Sequence, residues 1–146
     1  DHAKLQKELK TPICLDESIK TYSDGRRAIE IGACRIINIK PARVGGPFMA
    51  KALHNICVSK NIPVWCGGLL ETGIGRAHNI AVASLPGFTL PGDISASERY
   101  FKEDVIDPPV KVSPKGTISV PQGPGIGFMV IEERLNRRAA RREKVL

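Results

Sequence analysis

Lys40 closes a short apolar run, Ile36-Ile37-Asn38-Ile39, and few placements in the chain are so suggestive of chemistry. Along a β-strand, side chains two residues apart share a face. Asn38 and Lys40 therefore project together, while Ile37 and Ile39 turn the other way. Asp16 stands in the same relation to Cys14 at the end of an earlier run, Ile13 to Leu15. Adjacent strands would bring this carboxylate and this ammonium to one mouth. Two chemistries fit the pair: a plain salt bridge, or a metal-binding carboxylate beside a lysine that moves protons. A divalent cation makes a neighbouring ammonium more acidic, as does partial desolvation.

Gly67-Gly68-Leu69-Leu70-Glu71-Thr72-Gly73-Ile74-Gly75-Arg76 follows a third apolar run and opens a helix-like stretch. Glycine lets the backbone come close to a ligand, and helix N-termini attract anions. Tight strand-to-helix turns require glycine in any case, so the pattern alone does not define a site. Gly123-Pro124-Gly125-Ile126-Gly127 lacks the strand-before, helix-after setting of a dinucleotide loop and reads as a plain loop. His2, His54 and His78 have no ligand spacing and read as structural or exposed. The four cysteines form no Cys-x-x-Cys pair, which points to reduced thiols, three of them in apolar stretches, rather than a metal centre.

The elements that must carry these residues recur at a regular interval. Apolar runs begin at residues 13, 36, 63 and 88, spaced 23 to 27 residues apart. Between them lie three helical stretches: Asp24 to Gly32 with Asp24 as a candidate N-cap, Phe48 to Ser59 with Met49, Leu53 and Ile56 in helical spacing, and Ala-rich Ile74 to Leu85. Alternating strands and helices imply a parallel sheet with crossover helices. A closed barrel needs about 31 residues per unit and carries polar groups at every C-terminal strand end, whereas an open sheet gathers them at one crevice. Asp16-Glu17-Ser18, Lys40-Pro41, Gly67-Gly68 and Pro91-Gly92-Asp93 put such groups at all four ends. The expected fold is thus α/β: half of a (β/α)₈ barrel over residues 1–109, with four parallel strands each followed by a helix. Residues 110–146 are expected to add a β-hairpin, Val110 to Val112 with Thr117 to Val120, and a basic helical tail. Four strands cannot close a barrel, so the other half of the barrel or a second copy of the chain is an expected partner, and a homo-oligomer is expected.

Of the 146 residues, 42% are hydrophobic and 25% charged, an ordinary globular balance. There is no apolar run long enough for a transmembrane helix, and Asp1 to Lys4 do not resemble a secretory signal. A soluble, cytoplasmic protein without membrane partners is expected. The formal charge of +7 owes much to the segment from Arg134 to Lys144. No aromatic residues interleave with these cations, so a solvated terminal helix is expected rather than a nucleic-acid surface.

Several segments together resemble a known family. Thr11-Pro12-Ile13-Cys14-Leu15-Asp16-Glu17-Ser18 comes first, then Ile39-Lys40-Pro41 with Arg43-Val44-Gly45-Gly46. Trp65-Cys66-Gly67-Gly68 through Arg76 and Leu90-Pro91-Gly92-Asp93-Ile94-Ser95 follow in order. This series is similar to the C-terminal half of the o-succinylbenzoate synthases and N-acylamino acid racemases of the enolase superfamily. The resemblance implies strands five to eight of the barrel. It implies Asp16 as a ligand of Mg²⁺ (or Mn²⁺) and Lys40 as the catalytic lysine, an acid/base in racemisation or an electrostatic stabiliser of the enediolate in dehydration. It also implies that Gly67 to Glu71 line the pocket for a small carboxylate substrate, with Leu70 touching it and Tyr100 in the wall. Asn38, Gly67, Gly68 and Glu71 complete the expected binding residues. The family's Lys-x-Lys and its other two acidic ligands have no counterpart in this sequence.

Overall fold

A computed structural model describes residues 1–141 and 143; the far end of the basic tail, 142 and 144–146, lies outside the described residues. The chain opens with α1 (His2–Glu8), whose Gln6 side chain ties Leu9, Thr11 and Ile13 to the helix. Three βα units follow: β1 (Cys14–Leu15) with α2 (Tyr22–Glu30), β2 (Ile36–Ile39) with α3 (Pro47–Ser59), and β3 (Val64–Cys66) with α4 (Gly73–Ala83). The strands pair in parallel in the order β1-β2-β3, with Leu15 opposite Ile37 and Asn38 opposite Trp65. This is the arrangement of a partial barrel.

The fourth apolar run forms a single parallel bridge, Phe88 to Val64, rather than a full strand. A 3₁₀ turn (Ser97–Arg99) takes the place of the helix expected after it. The expected hairpin also differs. Its turn exists, with Gly116 at φ +75° and Ser113 N–H donating to Thr117 O at 2.9 Å, but its arms form no ladder. Val110 is committed elsewhere: its N–H donates to Ser97 Oγ and its carbonyl accepts from Ser97 N–H. The antiparallel pair is instead β4 (Ile106–Asp107) with β5 (Met129–Val130), leading into α5 (Glu132–Arg138).

Period-two alternation sorts the sheet into two faces. Leu15, Ile37, Ile39, Val64 and Cys66 turn toward the helices and are buried with Ala50, Leu53 and Cys57 of α3. Full burial of an aliphatic side chain of this size contributes about 1.5–3 kcal/mol, so this face holds the fold together. Cys14, Asp16, Asn38, Lys40, Trp65 and Gly67 alternate onto the opposite face. A smaller core joins Ile80 of α4 to Val105, Ile106 and Val110, with Ile118, Phe128 and Val130 packed against it. Cys34, Cys57 and Cys66 are buried free thiols and Cys14 is exposed. His54 is buried and stacks on Phe88 at 5.1 Å, and His78 pairs with Ile74 O within α4. Among the described residues, no helix is long and apolar enough to cross a membrane.

Candidate active site

Parallel pairing brings the C-terminal ends of β1 and β2 side by side, and there Lys40 Nζ lies 3.2 Å from Asp16 Oδ2. Both side chains are mostly covered, 15% and 27% exposed, so neither charge is fully hydrated. A third group joins them. The chain turns back after Lys40, with Arg43 N–H and Val44 N–H both bonded to Lys40 O, and the turn returns the Arg43 guanidinium to the strand ends. Arg43 Nη1 bonds to Asp16 Oδ1, Nε donates to Ile19 O at 2.8 Å and Nη2 donates to Asn38 O at 2.8 Å. Burial works to raise the Asp16 carboxyl, but the hydrogen bonds and charges of Arg43 and Lys40 outweigh it and hold the group below the ordinary aspartate value.

Asn38 sits beside Lys40 on the same face and is fully buried, and neither atom of its amide has a hydrogen-bond partner. Gly67 covers it. A Cβ built on Gly67 would meet the Asn38 amide and come within 2.7 Å of Lys40 Cε, so glycine lets the loop backbone lie directly on both side chains.

The loop after β3 is held through its backbone N–H groups. Gly67 N–H donates to Ile39 O at 3.0 Å, Gly68 N–H to Asp93 Oδ1 at 2.6 Å and Leu69 N–H to Glu71 Oε2 at 2.7 Å. Gly73 N–H, at the start of α4, donates to Asp104 Oδ1 at 2.8 Å. The second Glu71 oxygen accepts from Asn79 Nδ2 at 2.6 Å, so this carboxylate braces its own loop. Leu70 projects from the loop, 76% exposed. Tyr100 lies apart, its ring 5.4 Å from the Arg76 guanidinium. Arg76 is itself buried against Asp104, which also accepts from Ser97 Oγ and Val105 N–H.

Of the residues singled out in the sequence, Asp16, Lys40, Asn38 and Gly67 thus converge, and Gly68 adjoins them. Glu71 and Leu70 belong to the loop, and Tyr100 to the Arg76 cluster. Arg43 and Asp93 belong to the site as well. Both stand in the family-like segments, but only the folded turn and the strand-end loop show what they touch.

A carboxylate, a lysine and a glycine-walled loop at successive parallel strand ends match one family. The model described as enolase C-terminal domain-like matches residues 1–134. The chain belongs to that family. It is 56% identical over 137 residues to the o-succinylbenzoate synthase of Geobacillus kaustophilus, covering 94% of this chain and 36% of that protein. It is 53% identical over 135 residues to an N-succinylamino acid racemase of an Amycolatopsis species, covering 92% and 36%. A crystal structure of an enolase-superfamily member from Listeria innocua superposes with a TM-score of 0.87 at 49% identity, over 93% of this chain and 36% of that one. The chain therefore spans just over a third of the length of the relatives it matches. Their superfamily membership agrees with the resemblance carried by the strand-end motifs.

Proposed function

We propose that this chain supplies strands five to eight of the barrel of an o-succinylbenzoate synthase, with Asp16 as a metal ligand and Lys40 as the catalytic lysine. The observation that carries the reading is the Lys40–Asp16 contact at 3.2 Å across adjoining strand ends, within a chain 56% identical to such a synthase. Asp16 fits a hard divalent cation in kind: it is an ionised oxygen donor at a barrel mouth. It does not fit one alone. Among the described residues no group of three or more His, Cys, Asp or Glu side chains could hold a metal ion, and Mg²⁺ takes near-octahedral oxygen ligation. The remaining ligands would come from the other half of the barrel or from a second copy of the chain.

When bound, the divalent ion offsets the negative charge that grows on the substrate carboxylate as its α-proton leaves. The chain's own residues supply the rest. Asp16 holds its carboxylate at the mouth, braced by Arg43. Lys40 Nζ stabilises the negative charge of the enediolate in dehydration, or takes and returns a proton on one face of it in racemisation, and the Gly67 backbone lies against its side chain. Leu70, exposed on the loop, offers an apolar contact to the substrate, while Asn38 lies under Gly67 and shapes the seat of Lys40. In the appendage after residue 110, Ile118 and Phe128 pack against the small core that includes Ile80 of α4. The dehydration product is a menaquinone precursor, and the enzyme works in the cytoplasm as a homo-oligomer.

Racemisation of N-succinylamino acids is the second reading, favoured by the 53% identity to the Amycolatopsis racemase. The test is turnover of both substrates by the full-length protein carrying this chain, with and without Lys40→Ala. A positioned acid/base group contributes about 10²–10⁴-fold, and a loss of that order in dehydration, racemisation or both is expected. Lys51→Ala, on the exposed face of α3, should change neither. Near-normal turnover of both substrates by Lys40→Ala would leave Lys40 as no more than an ion-pair partner. In the same protein, Asp16→Asn should weaken Mg²⁺ binding measured by calorimetry, and unchanged tight binding would remove Asp16 from the ligand set.

A further inference from the structure

The position of Lys40 is set from two sides, and only one of them is the ion pair with Asp16. The other is the backbone of Gly67, which leaves no room for a Cβ against Lys40 Cε and the Asn38 amide. That backbone precedes the part of the loop that α4 braces, where Leu69 N–H donates to Glu71 Oε2 and Glu71 Oε1 accepts from Asn79 Nδ2. It is the first stretch after β3, and its fixed points are the Gly67 N–H bond to Ile39 O and the Gly68 N–H bond to Asp93 Oδ1. The first comes from the strand that carries Lys40. The second, at 2.6 Å and to a carboxylate, is of the short, strong kind and comes from the segment that follows the fourth apolar run.

We infer that Asp93 is a positioning residue: its carboxylate pins Gly68, so that Gly67 stays seated on Lys40 and aims the ammonium at the barrel mouth. The inference rests on Lys40 being the catalytic lysine. Asp93 is exposed and belongs to neither hydrophobic core, so its carboxylate is not there to fill space. It also sits opposite a second glycine fit: a Cβ on Gly92 would come within 2.7 Å of Cys66 O, so the Asp93 backbone lies flush against the end of β3. The alignment of reacting groups is steep in its consequences, a misplacement of about 1 Å costing on the order of 10²-fold.

The test uses the full-length protein carrying this chain and compares Asp93→Ala, Asp93→Asn and Gly67→Ala. Asn keeps an oxygen that accepts from Gly68 N–H, whereas Ala does not. In Asp93→Ala, kcat is expected to fall by about 10–10² while KM and the Mg²⁺ affinity change little, because neither Asp16 nor the loop's outer residues are disturbed. Asp93→Asn should recover most of the rate. Gly67→Ala reaches Lys40 from the loop side without touching Asp93, and a similar loss of kcat is expected. If Asp93→Ala loses thermal stability but keeps kcat per folded molecule, Asp93 is merely structural and the inference fails. It fails equally if Asp93→Asn is as slow as Asp93→Ala, since charge rather than the hydrogen bond would then matter. Should the Asp93→Ala protein not fold, Gly67→Ala with full kcat would overturn the inference by itself. Lys40→Ala separates this from the reading beneath it: normal turnover there sinks the catalytic role of Lys40, while a dead Lys40→Ala beside a fully active Asp93→Ala sinks only the positioning role.

Discussion

Asp16 carries one negative charge between two positive ones, and that imbalance has a pH signature. Its folded carboxyl is held below the ordinary value, so the contribution to stability is present above the unfolded value, about 3.9, and is lost as pH falls through the lower folded value. Replacing Asp16 by Asn leaves Lys40 and Arg43 facing each other without a counter-ion. The gap in melting temperature between wild type and Asp16→Asn is therefore expected to be widest near neutral pH and to close as the solution is acidified below about pH 3.9. A gap that stayed constant down to strongly acid pH, followed by circular dichroism, would mean that shape rather than charge sets it. The pairing of Asp16 with Lys40 is legible in the sequence, because period two fixes which strand-end residues share a mouth. The arginine is not. Arg43 reaches the site through a turn closed by backbone bonds to Lys40 O, and no periodicity describes a turn of that kind.

Short-range rules locate the helices better than they locate their starts. Spacing alone points to Asp24 as the N-cap of α2, but the cap is Thr21. Asp24 is the third residue of the helix, and its carboxylate returns to Thr21 N–H at 2.8 Å while Asp24 N–H donates to Thr21 Oγ1 at 3.1 Å. This reciprocal box satisfies two donors that a helix start leaves open. Thr21→Ala should cost about 1 kcal/mol in urea denaturation, and Thr21→Ser, which keeps the hydroxyl, much less. An unchanged midpoint for Thr21→Ala would show that α2 is held by its packing on α3 alone. The strands are harder to bound. Their apolar runs are visible, but how much of a run becomes strand depends on its neighbours. Phe88 meets β3 on one side only and makes a single bridge. The expected hairpin arms stay unpaired for a related reason. Val110 gives its backbone to Ser97, a partner thirteen residues away, and prolines at 108, 109, 114 and 121 remove donors that a ladder would use.

At the scale of the whole molecule, the sheet is finished on one face and open on the other. Helices cover Leu15, Ile37, Ile39, Val64 and Cys66, while Cys14 and, in part, Ile36 and Trp65 are exposed on the opposite side. Parallel sheets are ordinarily covered on both faces, so the open face is where the first half of the proposed barrel would close. The four thiols report on this directly. Burial pushes the Cys34 thiol up to about 11 and those of Cys57 and Cys66 up to about 12, so at pH 8 they are protonated as well as inaccessible. Cys14 is exposed, and Trp65 Nε1–H donates to Cys14 Sγ at 3.3 Å. In the folded 146-residue chain, a disulfide reagent at pH 8 should label Cys14 rapidly and the other three only as fast as the chain unfolds. In the full-length barrel, Cys14 should join the slow class, because its side chain would then point into the closed interior. Peptide mapping of the labelled thiol gives the answer residue by residue. Equal, rapid labelling of Cys14 in both proteins would mean that the inner face of β1 stays open to water, and a barrel completed across this sheet would be the wrong architecture.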